Sequence, residues 1–213
     1  MNSLTDLRRD YASRGLDEAD AHPDAIQQFT RWFDEALKSQ LLDVNAMTLA
    51  TASATGAPSA RIVLLKGADE DGFVFYTNYD SAKGRDLAEN PRAALLIFWA
   101  ELERQVRITG SVTKTTTAES EEYFHSRPIE SQIGAVSSNQ SAPVKDRSEL
   151  EQRYAELAAK YNVIVVPRPS NWGGYRVKPD TIEFWQGRKS RLHDRLLYTR
   201  QADGSWSRER LAP

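Results

Sequence analysis

The chain has 213 residues, 40% of them hydrophobic and 27% charged, with a formal net charge of −2. That is enough for one large domain with a real core, and too balanced a charge for a global field that draws the chain to nucleic acid or an anionic membrane. The absence of cysteine excludes disulfides, thiolate nucleophiles and Cys-ligated metal, and three histidines far apart in sequence argue against a His-based metal site.

In chain order, Ser3 to Arg14 reads as a short amphipathic helix with Leu4, Leu7 and Tyr11 on one side. Gly15 to Pro23 is acidic and irregular. Asp24 to Leu42 reads as a stronger helix, with Ile26, Phe29, Phe33 and Leu37 as its apolar stripe. From Ala46 the period shifts to strands: Met47–Thr51, Ala60–Lys66 and Phe73–Thr77, joined by Gly-containing turns. Ser81 to Glu89 is a short helix stopped by Asn90-Pro91. Ala93–Trp99 and Gln105–Thr115 are strands, and Thr117–Ser126 is a helix ended by Pro128. Ile129 to Val144 reads as a long polar connection, and Arg147–Tyr161 as a helix. Val163–Val166 is a brief apolar run. Tyr175–Trp185, Arg191–Thr199 and Trp206–Leu211 close the sheet. Six or more strands with helices between them predict one α+β domain around an antiparallel barrel. With no signal peptide and no run long enough to span a bilayer, the expected place is the cytoplasm, with no membrane partner.

The C-terminal stretch is dense in aromatics and cations: Trp185-Gln186-Gly187-Arg188, then Arg191-Leu192-His193-Asp194-Arg195. Read as a strand, it puts Arg191, His193 and Arg195 on one face, and Leu192, Asp194 and Leu196 on the other. A row of like cations must meet water or an anion. Lys83, in the first turn after a Ser81 cap, opposes the helix dipole and suits either plain solvent or a phosphate at that helix N-terminus. Arg61 and Lys66 bracket an apolar strand at an odd separation, so both reach one site only where the strand bends or the ligand wraps its end. Tyr123 and Arg127 are four apart on a helix, with Ser131 beyond Pro128; they suit a phosphate or an exposed helix end equally. Gln105, Gln140 and Ser141 are neutral groups of ordinary surface type. Trp172-Gly173-Gly174 reads as a tight turn, since no P-loop lysine follows.

Together these segments resemble the pyridoxine/pyridoxamine 5′-phosphate oxidase family. The resemblance is carried by Arg61-Ile62-Val63-Leu64-Leu65-Lys66, Phe75-Tyr76-Thr77-Asn78, Glu103-Arg104-Gln105-Val106 and Tyr123-Phe124-His125-Ser126-Arg127-Pro128. It continues through Ser131-Gln132-Ile133-Gly134-Ala135 and the stretch from Phe184-Trp185-Gln186-Gly187 to Arg210-Leu211-Ala212-Pro213. It implies an FMN-binding split β-barrel homodimer with its flavins at the subunit interface, built from residues 1–213 as one domain. It implies FMN contacts from Arg61, Ile62, Val63, Leu64, Leu65, Lys66, Tyr76, Thr77, Lys83, Gln105, Gln140, Ser141, Trp185 and Arg195. It implies a substrate phosphate on Lys66, Tyr123, Arg127 and Ser131, and Arg191 and His193 as the catalytic pair over the substrate ring. Residues 1–23, with Arg8 and Tyr11, are implied as a mobile lid, and residues 170–213 as a substrate and dimerisation region.

The implied reaction oxidises pyridoxine 5′-phosphate or pyridoxamine 5′-phosphate to pyridoxal 5′-phosphate, by hydride transfer to FMN and then reduction of dioxygen to hydrogen peroxide. One departure stands out: many members carry Arg where this chain has Ala82, and Arg85 is the nearest replacement. Two alternatives stay open on the sequence. One is another split-barrel flavin reductase, since fold does not decide activity. The other is a non-enzymatic protein that binds pyridoxal phosphate or flavin.

Overall fold

The structure is a computed structural model that describes residues 15–213. The expected helix over Ser3–Arg14, and with it Arg8 and Tyr11, lies outside the described residues. Five α-helices and nine strands follow in mixed order. They are α1 (Ala25–Lys38), β1 (Ala46–Ala52), β2 (Pro58–Leu64), β3 (Gly67–Asp69), β4 (Gly72–Asn78), α2 (Ala82–Glu89), β5 (Arg92–Trp99) and β6 (Arg104–Lys114). Then come α3 (Thr117–Ser126), α4 (Ile129–Ser137), α5 (Arg147–Lys160), β7 (Trp172–Gln186), β8 (Asp194–Arg200) and β9 (Trp206–Arg210).

The strands form one curled antiparallel sheet in the order β2-β1-β5-β6-β7-β4-β3. The expected α+β split barrel is what the chain adopts. β7 is its hub. Along its length it pairs with β6, while its first half also pairs with β4 and its second half with β8, which carries β9. Such a fork is possible because β7 has 15 residues. The β6–β7 register slips at Thr109/Gly110, where a Cβ on Gly110 would stand 2.0 Å from the Lys178 carbonyl oxygen. Glycine lets the strands close at that bulge.

α1 closes the inner face of the sheet. Asp24 caps it, accepting from the Gln27 N–H at 2.9 Å. Its buried face is Ala25, Ile26, Phe29, Trp32 and Ala36, so the apolar stripe is turned from the expected one: Leu37 is half exposed. Phe29 meets Phe73 edge-on at 4.9 Å, and Trp32 meets Phe184 edge-on at 5.2 Å. The largest buried aromatics therefore join helix to sheet. A second cluster, with Phe124, Ile133, Tyr161, Val166 and Trp172, holds α3–α5 to the start of β7.

Two sequence expectations give way. Residues 129–137, expected inside a connection, form α4, because Pro128 starts that helix as well as ending α3. The last long strand starts at Asp194, not Arg191. Before it, Lys189–Arg191 form a 3-10 turn in which Ser190 and Arg191 take positive φ of 58° and 61°. Arg191 and His193 thus do not share a strand face with Arg195.

Candidate functional site

A cavity of about 950 Å³ opens where β2, β4, α2 and the α3–α4 corner converge. That volume lies at the upper end of small-molecule sites. Arg61, Ile62, Val63, Leu64, Lys66, Tyr76, Thr77, Lys83, Tyr123, Arg127, Ser131, Gln140 and Ser141 all line it. Of the expected residues on β2 and its exit, Leu65 faces inward and is buried in the core. Arg61 and Lys66 both line the cavity, with the end of β2 between them. β2 ends at Leu64, and the Lys66 N–H donates to the Val74 carbonyl at 2.8 Å, starting a new ladder.

Lys83 is held deep in the wall, 8% exposed. Ser81 caps α2, and Gly84 presses so close to Tyr79 that a Cβ there would lie 2.0 Å from its carbonyl oxygen. This packing sets α2 against β4. The Lys83 ammonium donates to Thr77 Oγ1 at 3.2 Å, Ser81 Oγ at 3.3 Å and Gln140 Oε1 at 3.2 Å. All three acceptors are neutral. Burial, and then the nearby Arg61 charge, push the Lys83 pKa down. Arg61 donates to Thr51 Oγ1 at 2.7 Å and Ser59 Oγ at 2.6 Å, with Asp86 3.8 Å away. Burial lowers its pKa too, against the Asp86 charge. A pair of cations so placed favours an anion between the cavity walls.

The α3–α4 corner carries a further cation. Arg127 precedes Pro128, which holds it extended at ψ 151° and ends α3. Its guanidinium lies 4.8 Å from the Trp172 ring centroid, and Nη2 donates to the Ser131 carbonyl at 2.8 Å. Nη1 is buried with no hydrogen-bond partner, the one such side-chain atom among the described residues. A buried unpaired donor on a cation is costly, so a ligand acceptor is the natural complement. Tyr123 stacks on Tyr76 at 3.9 Å, and Lys66 lies over the Tyr123 ring at 5.9 Å. Trp172, read from the sequence as part of a turn, is a wall of this cavity. No local pattern could reveal it, because its contact with Arg127 joins residues far apart in the chain.

The remaining expected residues form a separate group. Gln105 pairs with Trp185, and Trp185 with Arg195, in one row across β6, β7 and β8. Phe98 extends that row on β5 and is 53% exposed. His193 packs its ring 4.7 Å from the Trp185 ring, and the Arg188 N–H lies 3.1 Å from His193 Nδ1. Glu183 binds Arg195 through two contacts, at 3.0 and 3.1 Å, and raises its pKa. None of Gln105, Trp185, Arg191, His193 or Arg195 lines the cavity of the same chain. Arg85 does not reach it either: its guanidinium donates to the Asp80 carbonyl, so it does not stand in for a cation at Ala82.

Comparison with known proteins bears on both groups. A family model described as pyridoxamine 5′-phosphate oxidase matches residues 33–161, and one described as the pyridoxine 5′-phosphate oxidase C-terminal dimerisation region matches residues 172–213. A pyridoxine/pyridoxamine 5′-phosphate oxidase of Burkholderia vietnamiensis is 60% identical over 215 residues, 100% of each chain. One of Ralstonia pickettii is 58% identical over 213 residues, again 100% of each. The crystal structure of PhzG from Burkholderia lata 383, in complex with tetrahydrophenazine-1-carboxylic acid, superposes with a TM-score of 0.89 at 31% identity, over 94% of this chain and 99% of that one. A pyridoxamine 5′-phosphate oxidase-related, FMN-binding protein of Nostoc punctiforme shares the fold, with a TM-score of 0.70 at 19% identity over 87% of this chain and 97% of that one.

Proposed function

This chain belongs to the pyridoxamine 5′-phosphate oxidase family, and on that premise we propose that it is an FMN-dependent oxidase converting pyridoxine 5′-phosphate and pyridoxamine 5′-phosphate to pyridoxal 5′-phosphate. The observation that carries this reading is a pair of cations, Lys83 and Arg127, facing one cavity with no carboxylate partner among the described residues. Two phosphorylated molecules would satisfy both.

The residues present fit FMN. Arg61, Lys83, Gln140 and Ser141 would hold it, with Thr77 and the Ile62–Leu64 stretch along its length. Bound FMN would supply a two-electron acceptor that dioxygen regenerates, releasing hydrogen peroxide. Arg127, Tyr123, Ser131 and Lys66 would grip the substrate phosphate and use that binding energy to align the far end of the molecule. Alignment of this kind can lower a barrier by about 7–11 kcal/mol in favourable systems. A primary alcohol loses two electrons and two protons to become the aldehyde. A primary amine becomes an imine, which water hydrolyses to aldehyde and ammonia.

Arg191 would orient the substrate and stabilise developing charge through its guanidinium donors rather than abstract a proton. His193 is suited to bond the substrate's ring hydroxyl or move its proton. Both lie outside the cavity of their own chain, on the segment matched to a dimerisation region. They and the Gln105–Trp185–Arg195 row would complete the cavity of a second copy in a homodimer.

The test is a visible spectrum of the purified protein followed by anaerobic pyridoxine 5′-phosphate. Flavin bands that bleach and return in air are expected; a protein that stays colourless after incubation with FMN overturns the reading. A second reading has the likeness to PhzG behind it, whose ligand is a carboxylate with no phosphate. The unpaired Nη1 of Arg127 suits either anion, and the preference for the phosphate ester rests on the relatives named pyridoxine/pyridoxamine 5′-phosphate oxidase, at 58–60% identity against 31% for PhzG. Peroxide released from tetrahydrophenazine-1-carboxylic acid, with none from pyridoxamine 5′-phosphate, would reverse that preference.

A further inference from the structure

Between β7 and β8 the chain makes the turn 187–193, which carries Arg191 and His193. Two residues of this turn with side chains, Ser190 and Arg191, sit in the left-handed region. Such backbone is unfavourable for L-residues and persists where neighbours hold it. Within the turn the Arg188 N–H reaches His193 Nδ1, and at its start the Gly187 N–H donates to the Glu103 carbonyl, just before β6, at 2.7 Å. The rest of that hold centres on Asp194, the residue that ends the turn and opens β8.

The Asp194 carboxylate is 14% exposed and is approached from three directions. Its Oδ2 accepts the Leu16 N–H at 2.9 Å, and its Oδ1 accepts Arg210 Nη1 at 2.7 Å. Arg188, from the start of the same turn, brings Nη1 to 3.7 Å. Arg210 does not rest on Asp194 alone. It grips both carboxylate oxygens of Glu18 at 2.7 Å and donates to the Leu16 carbonyl at 3.0 Å. Nearby, Arg208 donates to the carbonyls of Ala21 and Glu18, and Tyr198 Oη donates to that of His22 at 2.7 Å. The stretch from Leu16 to His22 is therefore laced to β8 and β9. Gly15 lies so close to Arg188 that a Cβ would stand 2.0 Å from its Nη1.

We propose that Asp194 is a positioning residue: its carboxylate joins Leu16, Arg188 and Arg210 into one clamp that holds the 187–193 turn, and with it Arg191 and His193, in the conformation the reaction needs. The proposal rests on the reading above that these two residues attend the substrate ring. The Asp194 carboxylate does not line the cavity and is engaged by Leu16, Arg188 and Arg210. Removing its carboxylate leaves the Leu16 N–H without its acceptor and Arg188 without this ion pair, and frees the strained turn to relax.

The experiment uses the full-length holoprotein and the variants Asp194→Ala and Asp194→Asn, with Glu18→Gln as a milder variant that loosens Arg210 from the outside. Three quantities are read: kcat and KM with pyridoxine 5′-phosphate, retained flavin absorbance, and the rate of tryptic cleavage after Arg188, Lys189 and Arg191. Misplacement of groups at the reaction centre can cost up to about a hundredfold in rate. Asp194→Ala is therefore expected to lower kcat by about tenfold or more, with KM and flavin content near wild type. Cleavage in the turn should accelerate severalfold, since it tracks the population of opened turn. Asp194→Asn should fall between, and Glu18→Gln should speed cleavage more than it slows turnover. Wild-type kcat together with wild-type cleavage in Asp194→Ala overturns the proposal. Loss of kcat and flavin together, with a general rise in cleavage across the chain, also overturns it, because the residue is then merely structural. If the wild-type chain oxidises no pyridoxine 5′-phosphate at all, the functional reading falls, and the cleavage rates decide the clamp by themselves.

Discussion

At the scale of single residues, the cavity is decided by cations whose partners are incomplete. Arg127 offers a buried Nη1 with no acceptor, so Arg127→Ala removes the group that a phosphate would neutralise. Truncating one side of a buried charged hydrogen bond costs about 2–5 kcal/mol. KM for pyridoxamine 5′-phosphate should then rise by about thirtyfold or more, since 1.4 kcal/mol is tenfold, with kcat largely kept; an unchanged KM would exclude Arg127 from the phosphate site. Arg191→Ala should do the opposite, retaining flavin colour while turnover falls steeply, as steady-state rates and an absorbance spectrum will show. Lys83 gives a pH prediction. Burial and Arg61 lower its pKa in the folded chain, so in the window between the folded and unfolded values the unfolded chain holds more protons. Stability of the ligand-free protein therefore rises with pH through that window. Lys83→Met should abolish the cost of the buried charge, raising the melting temperature of the ligand-free protein most at lower pH, while FMN affinity measured by fluorescence falls. A melting temperature below wild type would refute the account of Lys83 as a cation awaiting its anion.

At the scale of elements, packing rather than propensity sets which faces are used. α1 shows this directly. Trp32 is 3% exposed, edge-on to Phe184 and beneath the Arg104 guanidinium at 4.4 Å, whereas Leu37 is 50% exposed. Trp32→Ala should cost about 3–5 kcal/mol as a cavity-forming core substitution. Leu37→Ala should stay within about 0.5 kcal/mol of wild type. Urea midpoints compared at equal slope will separate them. α3 and α5 were legible because their start signals are local: Thr116 and Glu119 form a capping box, and Asp146 caps α5 by accepting from Glu149. α4 was not, because Pro128 reads as a stop for the helix before it and offers no side-chain cap to the helix after it. The stretch 15–22 owes its place to distant arginines. Glu18, its carboxyl held down to about 2 by the Arg210 hydrogen bond, keeps that contact ionised until strongly acid pH.

At the scale of the whole molecule, the outer face of the sheet is the unfinished part of this chain. Phe98, Gln105, Trp185 and Arg195 run across four strands in one row, and Phe98 is left half exposed. If a second copy covers this row and each copy completes the other's cavity, Phe98→Asp should shift the protein from dimer to monomer in sedimentation and release flavin in the same step. A monomeric variant that keeps its flavin would separate the two properties and refute the shared site. The sequence by itself determined the order of the strands and helices apart from β3 and α4, the pyridoxamine 5′-phosphate oxidase family resemblance and most of the cavity's residue types, because caps, turns and period-2 alternation are short-range signals and the long motifs carry the rest. It could not show that Leu65 turns into the core while its neighbours line the cavity, that Trp172 underlies Arg127, or that Arg191 leaves the strand. Nor could it show that the expected residues fall into two groups. Those outcomes depend on where β2 ends, how β7 forks and which distant side chains compete for the same space, and such long-range contacts exist only once the chain has closed on itself.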